Sequence, residues 1–342
     1  MKTLYSNIVW TAIIFFAFHN QANGAEYVDL IMTRDGVITL YSSDSIDTYD
    51  YTITMDGYKT NYMLTSDEIN FSGYKIIPNR CFEDCFSIDT IIIPDGIEEI
   101  HNEAFLNCVS LKYVYIPSTV KKIGLRVFAN CSNLSTICVD ANNVIYDSRD
   151  NCNAIIETST NTLVHGCKTT IVPNGIKTIG NSAFYGINTL EKIILPESVE
   201  SIDFYAFMNC QKLKQIVFAK NIEYIGHYAF DGCKSLKRIS LPKSVTYTGY
   251  SPFENCISLK RIKISAWEYV NESSFAGCTS LKKIVLPSTV QKIGNFAFMD
   301  CPNLRTVTIK NPKVVVDECA LPDKNVKVKI RKCMLKILKQ EL

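Results

Sequence analysis

The sequence predicts an α/β solenoid, a right-handed superhelix whose coils of about 23 residues form a parallel sheet along a concave face. Two observations predict this fold. First, phenylalanine recurs with steps of 23 residues, apart from one step of 22 and one of 56. The phenylalanines of this column are Phe82, Phe105, Phe128, Phe184, Phe207, Phe230, Phe253, Phe275 and Phe298. Second, apolar and polar residues alternate within each repeat, as they do along a half-buried β-strand. Because one such unit cannot bury its own apolar face, about ten units must stack to form a common core.

The unit LKKIVLPSTVQKIGNFAFMDC shows the predicted elements of one coil. Ile284 and Leu286 point to one side of an extended segment, and Lys283 and Val285 point to the other, which predicts a first strand. Pro287 ends that strand because proline has no N–H to donate. A second short strand and a glycine-containing turn complete the coil. Hydrogen bonds between first strands about 4.8 Å apart would then build the parallel sheet.

The beginning of the chain predicts a secretory signal peptide over residues 1–24. Lys2 precedes an apolar segment of 11 residues, Ile8–Phe18, and small residues come before Ala25. The segment is too short to cross a bilayer, which requires about 20 residues. No second apolar run of spanning length follows, so we expect export without a membrane span after signal cleavage. The predicted location is the cell surface or the extracellular space, with the periplasm as an alternative.

The repeats resemble a known family. The pattern I-P-x-x-V-x-x-I-G-x-x-A-F-x-x-C-x-x-L recurs from about Ile76 to Ile309, and one repeat with a ten-residue insertion contains YDSRDNCNAIIETSTNTLVHGC. Both features resemble the BspA-like leucine-rich repeat proteins of bacterial cell surfaces, and the inserted unit is similar to that family's own irregular repeat. The resemblance implies a leucine-rich repeat solenoid that binds host extracellular proteins or other cells through its repeat face.

The extent of the pattern predicts the organisation of the mature chain. Residues 25–75 are expected to form an N-terminal cap, residues 76–310 the leucine-rich repeat solenoid, and residues 311–342 a C-terminal cap. Within the solenoid, the long repeat at 138–172 is expected to contain an irregular hairpin-like excursion. Caps are expected because the two ends of a solenoid otherwise expose open sheet edges.

One coil departs from the pattern and is expected to be distorted. Between Cys256 and Cys278 one residue and the usual proline are missing, which leaves KISAWEYV around Trp267. Pro252 also stands where other repeats have alanine.

Fourteen cysteines in a chain predicted to be exported raise the question of disulfides. Eight of them occupy one repeat column, at Cys85, Cys108, Cys131, Cys210, Cys233, Cys256, Cys278 and Cys301. Neighbours in that column would have Cβ atoms about 4.8 Å apart, beyond the roughly 3.5–4.5 Å of a disulfide. Ile187 fills the same column in one coil, so the column predicts buried thiols. Cys152 and Cys167, beside the inserted segment, and Cys319 and Cys333, in the C-terminal cap, are candidate disulfide pairs. Spacing alone does not determine their connectivity.

Motifs of catalysis and of metal or cofactor binding are missing from the sequence. The three histidines after the signal peptide, His101, His165 and His227, stand in different repeats and in no metal-binding spacing. No nucleophile elbow, Walker loop or dinucleotide fingerprint occurs. The sequence therefore predicts a protein that is not an enzyme and has no cofactor and no metal. The alternative is a pair of carboxylates that converge across coils, as in a carbohydrate-processing protein.

The outward positions of the first strands hold the candidate ligand-binding residues. Residues 25–104 contain 16 Asp and Glu against 4 Lys and Arg, whereas residues 205–342 contain 23 Lys and Arg against 10 Asp and Glu. The molecule is therefore expected to be electrically polarised, with the outward strand positions of its second half basic. The candidate binding residues are Tyr113, Tyr115, Lys192, Arg238, Arg261, Lys263, Trp267 and Lys283.

The basic outward residues allow two interpretations. They can keep an open sheet soluble and block edge pairing, or they can form an electrostatic face for an acidic extracellular protein or an anionic glycan. Nucleic acid is a weaker partner, because the chain is predicted to be exported and its basic ladder lacks regularly interleaved aromatics. The predicted function is a cell-surface or secreted adhesion module that recognises host or neighbouring-cell proteins. The alternative is a surface component that binds or processes glycans, and the sequence does not predict the oligomeric state.

Overall fold

The computed structural model of the chain describes residues 75–86, 88–321 and 326–330, together with the backbone of four strands between residues 29 and 64. The predicted signal peptide, residues 1–24, lies outside the described residues. The chain divides into two compact units, an N-terminal unit, Met1–Thr158, and a C-terminal unit, Ser159–Leu342.

Two ladders of parallel strands build the N-terminal unit. Its strands are β1 (Asp29–Met32), β2 (Val37–Tyr41), β3 (Tyr49–Met55), β4 (Tyr58–Leu64), β5 (Ile76–Ile77), β6 (Thr90–Ile92), β7 (Glu99–Ile100), β8 (Tyr113–Ile116), β9 (Lys122–Ile123), β10 (Thr136–Val139), β11 (Tyr146–Asp147) and β12 (Ala154–Glu157). The strands β2, β6, β8 and β10 pair in parallel in that order, and β5, β7 and β9 form a second parallel sheet. Antiparallel pairs join β1 to β2, β3 to β4, and β11 to β12 in the inserted segment.

The C-terminal unit repeats the same arrangement. Its strands are β13 (Thr162–Gly166), β14 (Thr178–Ile179), β15 (Lys192–Ile194), β16 (Ser201–Ile202), β17 (Gln215–Val217), β18 (Tyr224–Ile225), β19 (Arg238–Ser240), β20 (Tyr247–Thr248), β21 (Arg261–Lys263), β22 (Tyr269–Val270), β23 (Lys283–Leu286), β24 (Lys292–Ile293), β25 (Thr306–Ile309), β26 (Val315–Val316) and β27 (Lys327–Ile330). First strands pair in parallel as β15 with β17, β19 with β21, and β25 with both β23 and β27. Second strands pair in parallel from β14 through β16 and β18 to β20, and from β22 through β24 to β26. The predicted solenoid is confirmed.

The strand ladders continue into segments that the sequence predicts as caps. In the N-terminal unit β2, within residues 25–75, pairs in parallel with β6. In the C-terminal unit β27, within residues 311–342, pairs in parallel with β25. Both segments therefore extend the sheets at these points.

Helix is nearly absent, although the α/β class implies it. Among the described residues the only helical segment is a 3-10 turn at Arg149–Asn151, and none forms a helix long and apolar enough to span a membrane. In the segment after each second strand, backbone N–H groups alternate between bonds to the next coil and bonds within the coil. In one coil the backbone N–H groups of Glu103, Phe105 and Asn107 donate to carbonyl oxygens of the next coil at 2.9–3.0 Å. Because these donors are used across coils, an α-helical ladder cannot form there.

Each of these turns contains residues in the left-handed backbone region. Asn107 has a φ of 63°, and Gly232 occupies the corresponding position with a φ of 70°. Asparagine and glycine adopt this conformation at low steric cost, which explains their recurrence. In the N-terminal unit the asparagine amides also bond to each other, because Asn130 Nδ2 donates to Asn107 Oδ1 at 2.7 Å. A side-chain ladder thus follows the backbone ladder.

One buried phenylalanine per coil forms the centre of the core. In the N-terminal unit the rings of Phe82, Phe105 and Phe128 stack with centroids 5.0 and 5.5 Å apart. In the C-terminal unit the column runs from Phe184 to Phe298 with neighbouring centroids 5.0–6.0 Å apart. All nine rings are almost completely inaccessible to solvent. The predicted alignment of the phenylalanine column is therefore confirmed within each unit.

The cysteine column consists of thiols that bond to the phenylalanine column. The S–H group of Cys108 donates to the carbonyl oxygen of Phe82 in the preceding coil at 3.2 Å, and Cys233 donates to Phe207 in the same way. Burial raises the pKa of the Cys233 thiol well above its usual value. The prediction of buried thiols is confirmed for the column, except that Cys85 is half-buried.

Candidate ligand-binding face

The first strands of the C-terminal unit present a row of cations to solvent. Strand alternation directs Ile239 and Ile262 inward, so that Arg238 and Arg261 point outward. Arg238 and Arg261 are direct partners in the parallel register of β19 and β21, and Ser240 lies opposite Lys263. The predicted residues Lys192, Arg238, Arg261, Lys263 and Lys283 are all exposed.

Four of these residues line one open groove, here called the basic groove. It has a volume of about 930 Å³ and crosses the first strands of neighbouring coils. Its cationic lining residues are Lys214, Lys237, Arg238, Arg261, Lys263 and Lys283. Ile216, Ile239, Ile262 and Val285 contribute apolar surface, and none of the described lining residues is Asp or Glu. The predicted residue Lys192 is not part of the lining.

Lys214 and Lys237 belong to the groove, although they are not among the candidate binding residues that the sequence predicts. Each stands immediately before an outward strand position, Gln215 or Arg238. The sequence does contain the signal, because basic residues recur at this position in consecutive repeats. Their side chains reach the groove from the point where the coil enters its first strand.

The charge of the groove is largely unneutralised. Lys214 Nζ lies 2.8 Å from Glu191 Oε1 of the preceding coil. For the other five cations, no carboxylate among the described residues lies within ion-pair distance. Two like charges about 5 Å apart repel each other by about 0.8 kcal/mol even at the dielectric constant of water. An anion bound between the cations of neighbouring strands would reduce this repulsion. The groove is therefore suited to a ligand with several negative charges.

The predicted aromatic residues Tyr113 and Tyr115 lie in the N-terminal unit and are half-buried. The Tyr115 hydroxyl donates to Asp140 Oδ2 at 2.5 Å, and this hydrogen bond, with burial, raises the pKa of Tyr115 to about 12. Burial, together with Cys138, raises the pKa of Tyr113. The Tyr115 hydroxyl is therefore already bonded within the protein.

The interpretation of Trp267 as a contact anchor is wrong. Its side chain is fully buried and lies between Phe253 and Phe275, with ring centroids 6.3 and 5.8 Å away. Trp267 stands at the repeat position that Val290 occupies in the next coil. The turn before it is one residue shorter than usual, and the larger indole occupies the space that valine occupies elsewhere. The distortion expected in this coil is thus accommodated by a larger core side chain.

The candidate disulfides stay predictions. Cys152 and Cys167 are buried thiols in the structure, each in a different unit. The sulfur of Cys152 contacts the carbonyl oxygen of Ala154 at 3.8 Å. Cys319 is exposed, and Cys333 lies outside the described residues. Among the described residues no group of three or more metal-binding side chains comes together.

The parallel strand ladders, the one phenylalanine per coil and the solvent-facing first strands define a leucine-rich repeat solenoid. The family model of the BspA type leucine-rich repeat region contains six copies of the repeat. It matches this chain over residues 52–163, 164–267 and 265–327. The chain belongs to this family. The match begins before and ends after the predicted solenoid boundaries of 76 and 310, in agreement with the strands found in the predicted caps.

Solved structures of bacterial proteins are similar to this chain. A leucine-rich repeat protein from Eubacterium ventriosum is 17% identical with a TM-score of 0.51, and the match covers 92% of this chain and 95% of that one. A leucine-rich cell surface protein from Faecalibacterium prausnitzii is 22% identical, with a TM-score of 0.40 and coverage of 93% and 95%. The pneumococcal vaccine antigen PcpA is 15% identical, with a TM-score of 0.48 and coverage of 93% for both chains. No curated protein matches the sequence. The first of these likenesses supports the fold.

Proposed function

We propose that the chain is an exported, non-catalytic binding module of the bacterial cell surface that acts in adhesion through its basic groove. Its ligand is a polyanion, either an acidic extracellular protein or an anionic glycan. The predicted signal peptide supports export, and the resemblance to surface proteins of the BspA type supports an adhesive role. The observation that carries the proposal is the set of five groove cations without a carboxylate partner among the described residues. Solubility alone does not require cations to be stacked in register on adjacent strands, where they repel each other.

The test is a binding measurement on a groove variant and a matched control. The groove variant changes Arg238, Arg261 and Lys283 together to Ser. The control variant changes Lys212, Lys234 and Lys243 together to Ser, which removes the same charge from exposed residues that do not line the groove. Binding to a sulfated glycan and to an acidic matrix protein is measured at about 0.02 M and about 0.15 M salt.

The wild-type chain is expected to bind one of the two probes, more tightly at low salt. The groove variant should bind at least about tenfold more weakly and show a flatter salt dependence, because fewer charges are screened. The control should keep wild-type affinity, apart from a small long-range effect. Absence of binding to both probes, or equal losses in the two variants, would contradict the proposal.

A further inference from the structure

A second surface of the C-terminal unit is rich in exposed aromatic side chains. Phe204, Tyr247, Tyr250 and Tyr269 are 37, 42, 50 and 36% exposed, and they lie in nearby coils. They lie on the second strands or in the turns that follow, in sheets separate from those of the basic groove. We call this surface the tyrosine face; its members are Phe204, Glu223, Tyr224, His227, Tyr247, Tyr250, Glu268, Tyr269 and Glu272. Apolar side chains clustered in this way on a soluble surface are typical of an interaction site.

The aromatic rings of this surface hold each other in place. Tyr224 and Tyr247 are partners in the register of β18 and β20, and their rings stack with centroids 6.0 Å apart. The ring centroid of His227 lies 4.9 Å from that of Phe204 and 4.8 Å from that of Tyr250. The Tyr224 and Tyr247 rings cover part of each other's faces, whereas the His227 ring meets the Phe204 ring edge-on and the Tyr250 ring at a tilt. A surface of packed rings that also carries tyrosine hydroxyl groups suits the centre of a protein interface.

Carboxylates border the aromatic rings. Glu223 and Glu268 directly precede Tyr224 and Tyr269, and both are exposed. Glu272 continues the column of Tyr250, because the backbone N–H of Ser251 donates to the Glu272 carbonyl oxygen at 3.0 Å. Among the described residues no cation lies within ion-pair distance of these three carboxylates. Desolvation lowers the pKa of His227, so the imidazole adds no positive charge near neutral pH. The face therefore combines exposed aromatics with unneutralised negative charge.

We propose that the tyrosine face of one copy of the chain binds the basic groove of a second copy. The two surfaces complement each other in charge, and both arginine and tyrosine are enriched in interface centres. The contact is heterologous, so each bound copy keeps one unpaired face and further copies can add. This inference rests on the basic groove assigned above, and it makes the adhesion homophilic, with a second copy of this chain as the acidic protein partner.

The first test is the concentration dependence of the mass of the purified chain, measured by sedimentation velocity. At low ionic strength the average mass should rise with concentration, and about 0.5 M salt should reverse the rise, because the Debye length then falls below about 5 Å. A chain that stays monomeric at about 0.1 mM and low salt would overturn the inference.

Two single-face variants give the sharper test. The groove variant is Arg238→Ser, Arg261→Ser and Lys283→Ser. The tyrosine-face variant is Glu223→Gln, Glu268→Gln and Glu272→Gln, in which only exposed side chains change, so that folding is preserved. Tyr250→Ser is a second tyrosine-face variant that leaves the charge unaltered. Each variant alone should self-associate at least about tenfold more weakly than wild type.

The mixture of the groove variant with a tyrosine-face variant decides the geometry. Each partner then retains one intact surface, and the two intact surfaces are complementary. An equimolar mixture should therefore form a 1:1 complex that does not grow further. A mixture that stays monomeric, or a tyrosine-face variant that self-associates like wild type, overturns the inference.

The two proposals can fail separately. If the wild-type chain stays monomeric but the groove variant loses binding to the sulfated glycan, the groove function stands and self-recognition is excluded. If the chain self-associates through both faces but binds neither external probe, the groove binds only a second copy of the chain. In that case the external polyanion is excluded and the inference stands.

Discussion

The substitution Asp231→Asn should remove a pH dependence of stability that the native chain carries. Asp231 is 8% exposed, and its carboxylate accepts one side-chain hydrogen bond, from Asn255 Nδ2 at 3.0 Å. Burial raises the pKa of this carboxyl group to about 6, and the nearby Glu254 carboxylate adds to the effect. The native state therefore keeps this proton over a pH range in which the unfolded chain has lost it.

The sign and the magnitude follow from this pKa difference. Because the native state binds more protons than the unfolded state between about pH 4 and about pH 6, the free energy of unfolding falls as pH rises through that range. A pKa of about 6 in place of 3.8 corresponds to about 3 kcal/mol at 1.36 kcal/mol per unit. About 2 kcal/mol of this decline lies between about pH 4.5 and about pH 7.5.

Urea unfolding of wild type and variant across that range measures the effect. The wild-type stability minus that of Asp231→Asn should decline by about 2 kcal/mol, because other titrating groups cancel in the difference. The matched control is Asp300→Asn, the same chemical change at an exposed aspartate, which measures the effect of the carboxylate-to-amide change outside the core. A wild-type minus Asp231→Asn difference that is constant or rises with pH would refute the reasoning.

Three further predictions test other parts of the fold. Glu103→Gln should lower the free energy of unfolding by about 1–3 kcal/mol, because this buried carboxylate lies 2.5 Å from two arginines, and thermal unfolding of the variant measures the loss. Alkylation of the native chain, read by mass spectrometry, should label the exposed Cys319 and spare the buried Cys233, whose raised pKa disfavours the thiolate; labelling of Cys233 as fast as Cys319 would contradict this. Trp267→Val should lower the free energy of unfolding by about 2–4 kcal/mol, because valine cannot fill the space beside the shortened turn; a variant as stable as wild type in urea would disprove that role.

Much of the candidate site was predictable because a solenoid converts sequence period into spatial adjacency. Arg238 and Arg261 are 23 residues apart and become direct partners in one parallel register. Strand alternation then determines that both point away from the buried Ile239. No long-range folding decision is needed to bring them together, so repeat spacing and residue type were enough to predict these positions.

Other parts depended on details that the repeat does not contain. The tyrosine face escapes sequence prediction because its residues lie on second strands and turns, where outward positions follow no simple alternation. The α/β class implies helix in the turn segments, but alternate N–H groups of these segments bond to the next coil, as in Glu103 and Phe105. A sequence pattern does not show which N–H groups of a turn bond to the next coil.

The sequence by itself determined the period of the coils, the phenylalanine and cysteine columns and the outward cations of the first strands. These features depend on local alternation and on identical neighbours one repeat away. Only the tertiary structure decided which charges are neutralised, as for Lys214 beside Glu191, and which aromatics are buried, as for Trp267. Ion-pair distances and burial depend on how side chains of unequal size pack between coils, and one deleted residue in a turn changes that packing without altering the repeat.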